Sequence, residues 1–423
     1  MEALRVLGGR RLDGSLQIHG AKNSVLPILA AAILVSGESY IHNCPDLRDV
    51  KAAVRILEHL GCRTARAGDS IYIDSAGMDR WDIPDTLMRE MRSSVVFLGA
   101  ILARTGRAVL SLPGGCELGP RPIDLHLEAL RALGAEIDET GGNIVCRADR
   151  LKGCPIHLRL PSVGATENAM LAACRAEGTT VITNAAAEPE IVDLQEYLRS
   201  AGAAVSGAGT PTITIEGMTP RGGFLHRIIP DRIEAATFLS AAASAGGEIC
   251  LKAVCPGHLT AVTDTLAQMG CDVRIGRDEI ILRRDLPLQA ARPVVTRPYP
   301  DFPTDAQPPV MAAALRAEGT TVFVENMFQN RYRHVEELCR MGADIRTEGR
   351  VAMVSGVKRL HGAPVQCTDL RGGAALVVAA LAAEGETEIT CLNHLDRGYE
   401  RIEDSLKMLD ARAWRESGGG AGT

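Results

Sequence analysis

Two stretches, GTTVITN (Gly178–Asn184) and GTTVFVE (Gly319–Glu325), carry almost the same text in the same surroundings. Each follows an Ala-rich apolar segment, MLAACRAE in one case and VMAAALRAE in the other. In each, a glycine ends the apolar segment and a β-branched run begins, which predicts a helix, a tight turn and a strand. Four further runs of this type start at Gly37 (GESYIHN), Gly106 (GRAVLSL), Gly247 (GEICLKA) and Gly385 (GETEITC). After each run come a loop and an amphipathic segment, most of which stop at a glycine: Gly61, Gly134, Gly202, Gly270 and Gly342. Those glycines are 73, 68, 68 and 72 residues apart, and Asp410 lies 68 beyond the last. A recurring unit of this size is the signature of a repeat architecture. It predicts six α/β units, which divide naturally into two domains of three. Glycine suits the left-handed position where a helix stops.

The sixth unit has no clear strand pair after its helix. The N-terminus, by contrast, begins with strand-like LRVL and SLQIHG before the first Ala-rich helix. The two chain ends are therefore expected to complete one unit, which makes one domain discontinuous.

Length and composition bound the function. At 423 residues the chain can bury large cores, and aromatics make up only 3%, so those cores must be built from Ala, Leu, Val and Ile. A net charge of -6 argues against a nucleic-acid binder. The longest apolar run, Val25–Val35, contains Pro27 and is too short to span a bilayer, and the N-terminus shows no apolar signal region. Twelve cysteines without such a signal point to reduced thiols and a cytoplasmic protein. There is no C-x-x-C pair and the histidines do not cluster, so no metal site is expected.

Charged residues recur in register at the starts of the helices. Arg48, Arg121, Arg331 and Arg397 precede amphipathic helices. Lys22, Arg92, Asp231 with Arg232, Asp305, and Asp369 with Arg371 stand at the starts of Ala-rich ones. Helix N-termini present free N–H groups and partial positive charge, so cations placed there make anion sites, with phosphate the usual guest. Asp305 and Asp369 read equally well as ordinary caps.

One loop, LPGGCELGPRPIDLH (Leu112–His126), sets Cys116 between a Gly-Gly pair and Glu117, near Arg121. Glycines allow close ligand approach, and Arg121 would favour thiolate where Glu117 opposes it. The residues alone leave open whether this thiol packs or reacts. Cys174 and Cys339, on apolar helices, read as core residues.

Taken together, the motifs GAKNSVLPILAA, MRSSVVFLGAILAR, LPGGCELGPRPIDLH, SVGAT, AAAEPEIVDL, PDRIEAATF, FPTDAQ, ENMFQNRY, TDLRGGAALVVAAL and DRGYERIED span nearly the whole chain. Their order and text resemble the UDP-N-acetylglucosamine enolpyruvyl transferase family. The sister enzyme, enolpyruvylshikimate-phosphate synthase, is similar in fold but lacks the loop cysteine. The resemblance implies two inside-out α/β domains, each of three βαβαββ repeats, with the active site in the cleft between them. It implies residues 22–229 as one domain and 1–21 with 230–423 as the other. The implied reaction moves the enolpyruvyl group of phosphoenolpyruvate to the 3′-hydroxyl of UDP-N-acetylglucosamine and releases phosphate. It opens peptidoglycan synthesis and uses no cofactor, no metal, no nucleic acid, no membrane and no obligate protein partner.

By that resemblance Cys116 is the acid, able also to form an adduct with phosphoenolpyruvate, and Asp305 is the base for the sugar hydroxyl. Lys22 and Arg397 complete the catalytic set. Lys22, Asn23, Arg121, Arg371 and Arg397 match phosphoenolpyruvate contacts. Arg92, Arg121, Pro122, Ile123, Asp124, Leu125, Ser162, Val163, Gly164, Asp305 and Met327 match nucleotide-sugar contacts. Arg48, Arg331 and Asp369 support them. The chain departs from the family pattern at Arg48, where lysine is usual, and at Leu160-Pro161 before SVG, where many members have a lysine and an apolar residue. Two other readings remain: an enolpyruvyl transferase with a different hydroxyl acceptor, and an inactive paralogue that binds a nucleotide sugar.

Overall fold

The computed structural model describes residues 2–111, 123–217 and 220–417. These form two compact units, residues 20–229 and residues 2–19 with 230–417, so the chain passes between units at 19–20 and at 229–230.

Within residues 20–229 three helices, Lys22–Ala31, Phe97–Thr105 and Val163–Ala173, pack together, and nearly all their residues are buried. A helix surrounded on every side must be apolar all round, and small side chains let neighbouring backbones approach. That explains the Ala-rich text. At Gly99 the approach is so close that a Cβ would sit 2.4 Å from the carbonyl oxygen of Asn168. Val25, Ile28 and Leu29 are fully buried, each contributing roughly 1.5–3 kcal/mol of burial free energy. Three outer helices, Arg48–His59, Asp124–Ala132 and Pro189–Ser200, bury one face and leave charged residues on the other.

Three four-stranded sheets belong to this unit. In one, Pro155–His157 runs parallel to Thr179–Thr183, which pairs antiparallel with Thr212–Glu216, itself antiparallel to Ala204–Ser206. The other two repeat this order. Phe224–Arg227 runs parallel to Glu38–His42, with Leu225 beside Tyr40, so the third repeat lends its last strand to the first repeat's sheet.

The other unit has the same plan. Its central helices are Arg232–Ala245, Gln307–Ala314 and Leu370–Ala382. Here the chain's N-terminus closes the ring. Leu12–Gln17 lies parallel to Gly247–Lys252, with Ser15 beside Cys250. Glu2–Leu7 lies between Glu386–Thr390 and Arg412–Ser417, antiparallel to both, with Val6 opposite Thr387 and Ala413. The sixth repeat has one strand of its own after its helix and takes a second from the N-terminus.

The helix-stopping glycines Gly61, Gly134, Gly202, Gly270 and Gly342 have φ of 99°, 98°, 89°, 98° and 91°, and Asp410 takes 57°. Aspartate is one of the few side chains that tolerates this region, which accounts for the sixth repeat's departure from glycine.

His19, the last residue before the first passage between units, donates its backbone N–H to Glu234 Oε2 (2.9 Å), and its Nδ1 lies 2.8 Å from Oε1. The hydrogen bond to buried Glu234 raises the imidazole pKa to about 9. A raised pKa stabilises the fold fully below the unfolded histidine value of about 6.5. That contribution is lost as pH rises through about 9. Melting temperature should therefore fall between pH 6.5 and 9.5 in the parent more steeply than in Glu234→Gln; parallel slopes would remove this pair from the pH dependence.

Candidate active site

The two acids that begin central helices behave differently. Asp369 is the cap that its position suggests: Oδ1 accepts from the backbone N–H groups of Arg371 (3.1 Å) and Gly372 (3.0 Å). Asp305, in the short turn Thr304–Ala306, pairs with arginine side chains. Its Oδ1 lies 2.8 Å from an Arg331 guanidinium nitrogen, and its Oδ2 lies 3.1 Å and 3.2 Å from two nitrogens of Arg371.

Both guanidiniums are deeply buried, Arg331 2% and Arg371 3% exposed. Arg331 also donates twice to the carbonyl of Thr304, at 3.2 and 2.7 Å, locking the turn on which Asp305 sits. Arg371 also donates to Tyr399 Oη (3.3 Å), which is 2.8 Å from Thr237 Oγ1. Burial works most strongly against the charge on Arg371, but Asp305, Tyr399 and Asp231 together outweigh it, so the guanidinium stays protonated. His334 packs beside this cluster, its Nδ1 3.1 Å from the Arg331 carbonyl, and burial lowers its pKa to about 4. A neutral ring adds no further positive charge there.

Glu325 ends the β-run that opened the sequence reading. It accepts from the backbone N–H of Met327 (2.7 Å) and Phe328 (3.0 Å) and from Thr304 Oγ1 (3.0 Å). It thus ties the Met327 loop, whose methionine is exposed, to the Asp305 turn. Arg397 is half-buried at the end of the turn Leu395–Arg397. Next to the Asp305 turn is a pocket of about 680 Å³ that includes Arg232, His258, Arg297, Tyr299, Phe302 and Pro303. Among the described residues, its lining includes none of those expected at the site.

In the unit of residues 20–229, Lys22 is buried at the first position of its helix, with Nζ 2.7 Å from Asp49 Oδ2; Asn23 beside it is half-buried. Arg48 is exposed at the start of its helix. Arg92 opens the turn Arg92–Val96, which packs on the Lys22–Ala31 helix. The two segments matched by resemblance to nucleotide-sugar contacts, around Asp124 and around Ser162, come together. Asp124 pairs with Arg159 at 2.6 Å, and His126 sits so close to Gly164 that a Cβ there would meet its ring at 2.8 Å. His126 is held by Asn168 Nδ2 at 2.9 Å, and burial lowers its pKa to about 4. Ile123 and Leu125 flank Asp124, and Ser162 caps the helix that Val163 and Gly164 begin. Leu160 is 66% exposed, so the departure there does not disturb the packing. Cys116, Arg121 and Pro122 lie outside the described residues. Cys174 is buried, but Cys339 is exposed, contrary to its reading as a core residue: it lies on the outward side of the short helix Val335–Arg340.

Tyr399, Glu325, Thr304 and His334 escape sequence reasoning. Tyr399 and Glu325 lie away from helix starts, and Thr304 and His334 stand at them without a fixed charge, so the register of charges gives no signal for them.

Residues 6–406 match the EPSP synthase (3-phosphoshikimate 1-carboxyvinyltransferase) family. The chain is 50% identical to UDP-N-acetylglucosamine 1-carboxyvinyltransferase 2 of Caldanaerobacter subterraneus subsp. tengcongensis, over 97% of this chain and 99% of that one. It is 51% identical to UDP-N-acetylglucosamine 1-carboxyvinyltransferase 1 of Symbiobacterium thermophilum, over 96% and 93%. Among solved structures, the enolpyruvyl transferase NikO from Streptomyces tendae superposes with a TM-score of 0.89 at 28% identity, over 98% of this chain and 99% of that one. EPSP synthase from Acinetobacter baumannii, at 20% identity, shares the fold with a TM-score of 0.75, over 99% and 100%. The chain belongs to the EPSP synthase family of enolpyruvyl transferases and, within it, to the UDP-N-acetylglucosamine 1-carboxyvinyltransferases.

Asp305→Ala should destabilise the unit that carries it. Two guanidiniums would lose their counter-charge, an effect of about 3–5 kcal/mol for a fully buried pair and less here because Asp305 itself is partly exposed. Thermal melts should show a drop of several degrees, and an unchanged melting temperature would show that water or ions replace the carboxylate.

Proposed function

We infer that the protein transfers the enolpyruvyl group of phosphoenolpyruvate to the 3′-hydroxyl of UDP-N-acetylglucosamine. The observation that carries this reading is Asp305 held between two buried arginines. It sits in a chain about half identical, over nearly its full length, to enzymes of that name. A carboxylate that is oriented from both sides but partly exposed can receive a proton from an attacking hydroxyl.

Cys116 protonates the methylene carbon of phosphoenolpyruvate, which makes the adjacent carbon electrophilic. The sugar hydroxyl attacks that carbon and passes its proton to Asp305. The tetrahedral intermediate then returns a proton from the new methyl group to the Cys116 thiolate and expels phosphate, which takes up the proton held by Asp305, so the double bond and both residues are restored. Lys22, Arg121, Arg371 and Arg397 neutralise carboxylate and phosphate, with Asn23 beside them, so charge is stabilised by fixed cations. Arg92, Pro122, Ile123, Asp124, Leu125, Ser162, Val163, Gly164 and Met327 receive the nucleotide sugar. Arg48, Arg331 and Asp369 hold the catalytic residues in place.

No helix among the described residues is long and apolar enough to cross a membrane. The described cysteines are all free thiols, which supports a cytoplasmic setting. There the product would enter peptidoglycan synthesis and, through it, cell-wall growth and division.

Phosphate release from phosphoenolpyruvate plus UDP-N-acetylglucosamine is the deciding assay; release only with another hydroxyl acceptor, or none at all, would overturn the reading. Asp305→Asn, which keeps the side chain's shape, should lower turnover by a factor on the order of 10² while nucleotide-sugar binding persists. Near-normal turnover would move the base elsewhere, with Asp369 the next candidate.

A small anionic epoxide that mimics phosphoenolpyruvate should alkylate Cys116. Burial raises the thiols of Cys44, Cys62, Cys146, Cys174 and Cys271 to about 12, so these should stay unmodified. Cys116→Asp should keep some activity and escape alkylation, and Cys116→Ser should lose most activity. An adduct missing from the Cys116 peptide in mass spectra would remove the thiol from the mechanism.

A further inference from the structure

The helix that begins with Lys22 and Asn23 has no side-chain cap: Ala21 stands at its N-cap. Its first turn is fixed from outside, by the segment that leaves the same unit at residue 229. Ala21 donates its backbone N–H to the Ile229 carbonyl (2.8 Å), and Asn43 Nδ2 donates to the Ile228 carbonyl (2.9 Å). Gly20 runs so close to Asn43 that a Cβ would fall 1.7 Å from its carbonyl oxygen. Entry and exit strands of the unit are thus bonded side by side.

One carboxylate joins both to the body of the unit. Asp193, on the outer helix Pro189–Ser200, is 5% exposed. Its Oδ2 accepts from the Ser24 hydroxyl and from the Ile229 backbone N–H (3.3 Å), and its Oδ1 lies 2.9 Å from His226 Nε2. Ser24 is the residue after Asn23. A buried carboxylate satisfied by three donors is rigid, and charge-assisted bonds are about twice as strong as neutral ones.

We propose that Asp193 is a positioning residue for phosphoenolpyruvate binding: through Ser24 and Ile229 it fixes the helix turn that presents Lys22 and Asn23. The assignment of those two side chains to phosphoenolpyruvate rests on the function proposed above. Asp193 is buried and bonded to Ser24, Ile229 and His226, so it acts through the placement of Lys22 and Asn23 and not on the reacting atoms directly. Ser24 is the arm that carries the effect to the turn, and His226 is an arm that does not reach it.

The test compares Asp193→Asn, Ser24→Ala, their double variant and His226→Gln, at a temperature where all are folded. Asparagine keeps the shape but offers one acceptor oxygen in place of two. Asp193→Asn and Ser24→Ala should each raise KM for phosphoenolpyruvate about 10-fold, with kcat falling by a smaller factor, and the double variant should be no worse than Asp193→Asn. His226→Gln should lower the melting temperature while leaving that KM within about twofold. KM values unchanged in both Asp193→Asn and Ser24→Ala, or raised as much in His226→Gln, would overturn the proposal. Ser24→Ala alone decides it if Asp193→Asn does not fold.

Amide hydrogen exchange over residues 22–26 gives a readout that needs no substrate. It should quicken in Asp193→Asn and Ser24→Ala but not in His226→Gln, and unchanged exchange would equally overturn the proposal. Absence of phosphate release in the parent protein would instead sink the functional reading and leave the exchange result to judge Asp193.

Discussion

Each unit is organised around three helices packed together and buried on every side. A helix in that position carries little charge along its length, because an unpaired buried charge costs several kcal/mol. Glu167 is the exception within Val163–Ala173, and burial pushes its carboxyl well above the usual range. The first N–H groups of any helix lack intrahelical partners, and the loops that reach them can bring polar side chains. Polar and charged side chains therefore gather at the helix starts, where Lys22, Ser162, Asp231, Asp305, Asp369 and Arg371 stand. The amphipathic outer helices and the sheets enclose the central helices and hold those starts in place.

The most demanding point of this arrangement is the Asp305 cluster. Two nearly buried arginines are tolerable only because one carboxylate lies between them and backbone and phenol oxygens accept their remaining protons. Arg331 comes from the turn before an outer helix and Arg371 from the first turn of a central one, so two repeats converge on a residue supplied by a third turn. Under the proposed function, this cluster would supply fixed positive charge and an oriented proton acceptor within one small volume.

Much of the fold was legible because a repeat writes its constraints several times. The turn glycines could be read from spacing, and their left-handed φ values are the physical reason for that spacing. The rule survives even where the letter changes, at Asp410. Asp305 and Asp369 show the limit of this reading. Both are acids at the start of a central helix, and sequence treats them alike as caps. Asp369 caps its own helix, while Asp305 pairs with arginines from other turns of the chain.

The sequence by itself determined which residues are small, apolar or charged and at what period. That sufficed for six α/β units, for charged residues recurring at helix starts, and for a family resemblance carried by motifs along the whole chain. The tertiary structure decided the partners. Tyr399, Glu325 and Thr304 serve the Asp305 cluster, and Asp193 serves the turn of Lys22 and Asn23, through bonds to residues distant in sequence. Local spacing encodes periodicity, because side chains three or four apart share a helix face whatever the fold. A hydrogen bond between distant residues depends on where two elements come to rest, and a single chain read residue by residue carries no record of that distance.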